Sequence, residues 1–291
     1  MVKKKKQKRK NLPRGISFAI WLSVIFLLIA TVPYLYFHCR SVTKKPSSGP
    51  GSSEETFYPS PPPREEGTWS GRRRVAVIID DIGYELWPVQ EIIAMKEPVT
   101  LSILPHCPYS TTAARKAHRA GREIILHLPM EPSLYPEKNP GDGALLLSMS
   151  ESEIRRNIER DMQSVPYAIG VNNHMGSRFM ENDEKLAIVF DELKKKGLFF
   201  IDSYTTNQTK GQYLATKIGL RFAGRDIFID NNSDFADTVN IMKSLMEKKN
   251  DWHTLIFIGH PYKSTIDALK VALPLFRANG IEIVPVSELV S

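Results

Sequence analysis

From residue 72 onward, short apolar runs alternate with longer amphipathic stretches. The runs at 75–79, 99–104, 123–128, 168–172, 198–201, 254–258 and 281–285 are rich in Val, Ile, Leu and Phe. Near-continuous apolar runs of this length predict strands covered on both faces, as in a parallel sheet. Between them, 86–95, 110–120, 151–163, 183–196, 235–248 and 264–278 place apolar residues at helical spacing and predict helices. Gly121, Gly197 and Gly280 follow three of these helices, where a left-handed cap is favoured. Ser150 and Glu153 make a capping-box pair at the start of another. The stretch 208–230 is the least clear part of the pattern. Alternation of this kind implies a parallel sheet with covering helices, closed or nearly closed on itself. The expected fold class is α/β: a distorted (β/α) barrel of about seven strands, short of a full eightfold barrel.

Upstream the pattern changes. Residues 16–37 form a 22-residue stretch without a charge, long enough to span a bilayer as a helix. Trp21 lies near one end of it, and Tyr34 and Tyr36 near the other. Eight basic residues precede the stretch, whereas only Arg40, Lys44 and Lys45 follow it closely. This asymmetry predicts a basic cytoplasmic tail over 1–15 and an uncleaved, single-pass transmembrane anchor over 16–37. The rest of the chain would then lie outside the cytoplasm, in the periplasm of a bacterial inner-membrane protein. A cleaved signal peptide is the alternative, but no small-x-small cleavage site is evident. Residues 38–71, with Pro61-Pro62-Pro63 and many Ser and Gly, cannot bury a core and predict a linker. The globular domain is expected over 72–291.

Charge sharpens this division. Residues 1–70 hold 12 Lys+Arg against 4 Asp+Glu, and the remainder 27 against 28, so the net charge of +7 belongs to the tail. A domain near neutrality has no surplus of cations for a phosphate backbone, which argues against a nucleic-acid partner. Cys39 lies upstream of the domain and Cys107 within it, so no disulfide can form inside the domain and no thiolate-based zinc site within one chain.

Candidate chemistry gathers where strands end. In folds of this kind the carboxyl ends of the strands build the active face. The first run stops at two adjacent carboxylates, Asp80 and Asp81, whose charges oppose one another unless a cation or a proton intervenes. Later runs lead into His106, His127, the pair Asn172-Asn173 with His174, Asp202-Ser203, and His260. Four of the domain's six histidines therefore fall at strand ends. Imidazole and carboxylate without thiolate suit Zn²⁺ or a similar divalent metal. No Gly-x-Ser-x-Gly elbow or glycine-rich phosphate loop is present, which disfavours a serine hydrolase and a metal-dependent phosphoesterase.

Five segments carry a family likeness: Ile-Ile-Asp80-Asp81-Ile-Gly, Gly121-Arg-Glu-Ile-Ile-Leu-His127-Leu-Pro-Met-Glu131-Pro, Gly170-Val-Asn-Asn-His174-Met-Gly-Ser-Arg178-Phe, Phe-Ile-Asp202-Ser and Ile-Gly-His260-Pro. Through them the domain resembles the divergent polysaccharide deacetylases, relatives of the NodB-type carbohydrate esterases. The resemblance implies Asp80 as general base, Asp81 and His127 as metal ligands, and His260 as general acid. It also implies an N- or O-acetylated glycan as substrate, and the extracytoplasmic location expected from the anchor points to an envelope polysaccharide or peptidoglycan-like glycan. The chain departs from the family pattern where Glu131 replaces the second histidine of His-x-x-x-His. The third ligand is then expected from His174, with Glu131 as the alternative. An Arg-x-Pro-Tyr segment is missing, and Arg178 is the candidate to hold the base in its place. Asp202 is assigned to orient His260 or a substrate hydroxyl. These departures leave a second reading open, a glycan-binding or assembly factor with weak or no turnover.

Overall fold

The computed structural model describes residues 71–248 and 252–291. The cytoplasmic tail, the 16–37 anchor and the linker up to residue 70 that the sequence leads one to expect all lie outside the described residues. Among the described residues no helix is long and apolar enough to cross a membrane.

In chain order the elements are β1 (Arg74–Ile82), α1 (Trp87–Ala94), β2 (Thr100–Ile103), α2 (Ser110–Arg119), β3 (Ile124–Met130), α3 (Glu151–Ser164), β4 (Gly170–Met175), α4 (Asp183–Lys195) and β5 (Phe199–Asp202). There follow α5 (Gly211–Ile218), β6 (Phe222–Gly224), β7 (Ile227–Phe228), α6 (Phe235–Glu247), β8 (Thr254–Gly259), α7 (Lys263–Ala278) and β9 (Glu282–Ile283). The capping box at Ser150 forms, the Glu153 carboxylate accepting the Ser150 N–H at 2.8 Å.

All strand pairs are parallel, and the sheet runs β6-β5-β4-β3-β2-β1-β8-β7 with β9 beside the start of β1. This corrects the expectation of a distorted barrel of about seven strands: the fold is a parallel α/β half-barrel with eight strands along its path, β6 and β7 at the two ends, and β9 off the path. The difference comes from the unclear stretch 208–230, which supplies α5, β6 and β7. Its strands are too short, at three and two residues, to leave a periodic signal. The run at 281–285, expected as a full strand, contributes only the two residues of β9.

Both sheet faces are apolar for different reasons. Val75, Val77 and Ile79 of β1 pack in the cluster beneath the helices, whereas Ala76 and Ile78 line the inner face. The inner cluster also takes Ile125, Phe199, Ile201, Phe228, Ile256 and Ile258 from the other strands and Val286 from the carboxyl-terminal segment. That segment runs across the amino-terminal mouth of the half-barrel. Ile283 pairs with Val75, Val286 is fully buried, and Ser291 accepts the Phe222 N–H of β6 at 2.9 Å. One end of the strands is thereby filled with side chains. The other end carries the strand-end acids and imidazoles.

Candidate metal centre and active face

The alternation that points Ala76 and Ile78 inward also points Asp80 inward, where it is 2% exposed. Its neighbour Asp81 would ordinarily face the helices. Instead, the register between β1 and β2 shifts after Ile79, and Asp81 takes a left-handed φ of 55°. A bulge with one residue in this conformation re-aims a side chain at the strand end. Both carboxylates therefore reach the same space, at the cost of a backbone conformation that an Asp seldom adopts.

Neighbouring strands bring the partners. His127 and Asn172 sit in register on β3 and β4, and Pro129 is in register with His174. His127 Nε2 lies 3.2 Å from Asp81 Oδ1, His174 Nδ1 lies 3.1 Å from the same oxygen, and the two nitrogens are 3.1 Å apart. Asp81, His127 and His174 thus form a compact triangle of donor atoms. Asp81 Oδ1 is buried and accepts no hydrogen bond among the described residues. Three electron-rich atoms converging in this way oppose one another unless a cation or ring protons join them. A tetrahedral ion with bonds of about 2.0–2.2 Å keeps its donors roughly 3.3–3.5 Å apart, close to the edges of this triangle. The donor set fits a divalent metal. Glu131 does not join it: its carboxylate accepts the Leu147 N–H at 2.7 Å and Arg178 Nη1 at 2.9 Å.

Charge in the cluster follows from these contacts. Burial alone would raise the Asp81 carboxyl, but the His174 and His127 imidazoles outweigh it and hold it well below the usual range. Burial likewise disfavours a charge on His127, yet Asp80 and Asp81 overcome it and raise the imidazole. Beneath the triangle lies a buried polar layer. Asn172 donates to Asp80 Oδ1 at 2.8 Å, and its Oδ1 faces His127 Nδ1 at 2.9 Å and accepts from Ser102 Oγ at 2.7 Å.

His260 lies beside Asp80 because Ile79 of β1 is in register with Gly259 of β8. Its Nδ1 is 3.1 Å from Asp230 Oδ1, and Asp230 Oδ2 accepts the His260 backbone N–H at 2.6 Å and Thr265 Oγ at 2.8 Å. Burial works against the imidazolium, but Asp230, supported by Asp81 and Asp80, lifts its pKa to about 10. At neutral pH this ring carries its second proton.

Two expected residues are not brought to this chemistry. Asp202 shares the strand face of Phe200, under the helices, and its carboxylate is taken up by the Tyr204 N–H at 2.8 Å and Thr209 Oγ at 2.7 Å. The partner of His260 is Asp230, not Asp202. Arg178 holds Glu131 rather than the base; Asn172 is what contacts Asp80. His106, the remaining strand-end histidine, is bound 2.7 Å from Asp161 of α3 and stays out of the triangle. Asp230 was concealed by the unclear stretch, although it closes an apolar Ile-Phe-Ile run just as Asp80 closes the first. Asn172 carries no charge and gave no sequence signal beyond its place at a strand end. An open cleft of about 480 Å³ at the opposite end of the strands, lined among others by Arg72, Glu97 and Arg277, contains none of these groups.

Comparison with known proteins agrees with this picture. The chain is 35% identical over 200 residues to the uncharacterized protein YibQ of Escherichia coli K12, covering 68% of this chain and 61% of that one. It is 33% identical over 200 residues to an uncharacterized protein of Haemophilus influenzae Rd, covering 69% and 71%. The crystal structure of the uncharacterized protein ATU2773 of Agrobacterium tumefaciens C58 superposes with a TM-score of 0.69 at 27% identity, over 76% of this chain and 92% of that one. The model of the divergent polysaccharide deacetylases matches residues 77–290. The half-barrel with its Asp-Asp and strand-end histidines thus belongs to a chain that is a member of the divergent polysaccharide deacetylase family.

Proposed function

We propose that this protein is a membrane-anchored, metal-dependent hydrolase that removes N- or O-acetyl groups from a cell-envelope glycan. One observation carries the reading: a charged acid, His260, and an inward carboxylate, Asp80, flank a triangle of metal-type donors on one face. Family membership supports a polysaccharide or glycan as substrate class. The anchor is inferred from the uncharged stretch 16–37 and its basic flank. An anchored domain outside the cytoplasm meets envelope glycans, which is the basis for preferring them.

Asp81 Oδ1, His127 Nε2 and His174 Nδ1 would hold Zn²⁺ or a similar ion. When bound, it would supply Lewis acidity, activating water and polarising the acetyl carbonyl. Asp80 takes the proton of the attacking water, its second oxygen being free of the Asn172 amide. His260, oriented by Asp230, gives its proton to the departing amine or alkoxide. Arg178 and Glu131 tie together the segments that follow the adjacent strands β4 and β3, without touching these groups.

Elemental analysis of the full-length protein, purified without chelator, tests the metal. About one divalent ion per chain is expected in the wild type and in Glu131→Gln, with loss in Asp81→Asn and His174→Ala. Asp80→Asn should keep the ion and abolish acetate release from acetylated glycans. A wild type that stays metal-free in added zinc would overturn the hydrolytic reading. A metal-replete wild type that binds glycan but releases no acetate would leave the binding-factor reading, which the Glu131 replacement favours.

A further inference from the structure

Asn172 is fully buried, and its side chain meets four partners. Its oxygen faces Ser102 Oγ and His127 Nδ1, and its nitrogen faces Asp80 Oδ1 and, at 3.4 Å, Ser203 Oγ. A primary amide offers two acceptor sites and two N–H donors, so all four are used. The orientation of the amide is forced. Turned over, it would set its oxygen 2.8 Å from a carboxylate oxygen that can only accept. With the nitrogen committed to Asp80, the oxygen must face the ring of His127, and an oxygen there accepts only from an Nδ1–H. The remaining nitrogen, Nε2, is the one 3.2 Å from Asp81 and 3.1 Å from His174.

We infer that Asn172 is a positioning residue that couples the two halves of the site, holding Asp80 through its nitrogen and fixing His127 as the Nδ1–H tautomer through its oxygen. Its role toward the base rests on the hydrolytic reading; its role toward the ligand rests only on the metal-binding part of that reading. A ligand's outer hydrogen bond sets its tautomer and ring orientation, and loss of such a partner typically costs about 10–100-fold in metal affinity.

The two roles are separable by substitution in the full-length protein. Asn172→Leu removes both, and zinc affinity, measured by competition with a chromophoric chelator, should fall about 10–100-fold. Asn172→Asp retains an acceptor for His127 but sets a carboxylate against Asp80. Its zinc affinity should match or exceed the wild type while acetate release falls at least about tenfold, as expected when base catalysis worth roughly 10²–10⁴ is impaired. Selective ¹⁵N-histidine NMR of the zinc-loaded protein reads the tautomer directly. A slowly exchanging Nδ1–H on His127 is expected in the wild type and in Asn172→Asp. The inference is overturned by a wild-type His127 bound to zinc through Nδ1, by a folded Asn172→Leu with unchanged zinc affinity, or by equal zinc loss in both variants. If Asn172→Leu does not fold, the wild-type spectrum and Asn172→Asp still decide. Absence of acetate release from the wild type, with zinc and tautomer as expected, would overturn the hydrolytic reading alone.

Discussion

Asp230 spends one oxygen on the backbone and on Thr265 and the other on His260, so the proposed acid is held by a carboxylate that is itself fixed. The consequence is a pH dependence with a definite sign. The folded pKa of His260, about 10, lies above the ordinary imidazole value near 6.5. The proton is bound more tightly in the folded state. Its stabilising contribution is complete below about pH 6.5 and is lost as pH rises through about 10. In metal-free protein, denaturation midpoints should fall over this window, and Asp230→Asn should flatten the fall whatever it does to stability at neutral pH. Midpoints of wild type and variant with the same slope would show that Asp230 does not set the charge of His260. At this scale the sequence was informative about charged and imidazole groups. Asp80, Asp81, His127, His174 and His260 all announce themselves at the ends of apolar runs. It marked Asn172 only by its place at a strand end, because the importance of that residue lies in hydrogen bonds to residues 45 and 92 positions away.

Among the elements, β4 shows how packing and site are built by one strand. It brings Asn172 and His174 inward, and at the same face Gly170 leaves room for the ring of Phe199. A Cβ at Gly170 would lie 2.2 Å from that buried ring. Phe199 is itself fully buried among the inner side chains and has nowhere to retreat. Gly170→Ala should therefore destabilise the fold by about 3 kcal/mol, the upper range for overpacking, although alanine is ordinarily the better strand residue. Thermal or chemical denaturation checks it, and an unchanged midpoint would show that the ring can move aside. The helices and long strands were readable from period and caps, as at Ser150 and Glu153. The short β6 and β7 were not, because two or three residues in a row cannot display a period and owe their pairing to β5 and β8.

For the whole molecule, the carboxyl-terminal segment closes what the sheet leaves open. It pairs with the start of β1 within the sheet and reaches β6 at one end of the strand order, with Val286 buried among the inner side chains between. Val286→Ala should cost about 2 kcal/mol from lost burial and the cavity left behind. Zinc binding should be unchanged, since the filled end and the donor triangle are at opposite ends of the strands. A loss of metal with stability intact would mean that the two ends are coupled. Taken by itself, the order of apolar runs and helices decided the class of fold, a parallel sheet under helices, because burial on both faces leaves a pattern within each segment. It also decided which end gathers the acids and imidazoles, since such groups cannot be placed in the core without partners. Tertiary structure alone decided the rest. Whether the sheet closes depends on how many short strands find an edge. Which carboxylate meets His260 depends on strand order, which brings β7 beside β8 and leaves Asp202 on the far face of β5. That His174 and not Glu131 completes the triangle follows from the register of β3 with β4 and from a bulge at Asp81. Register and bulge are properties of paired strands, and no single segment contains them.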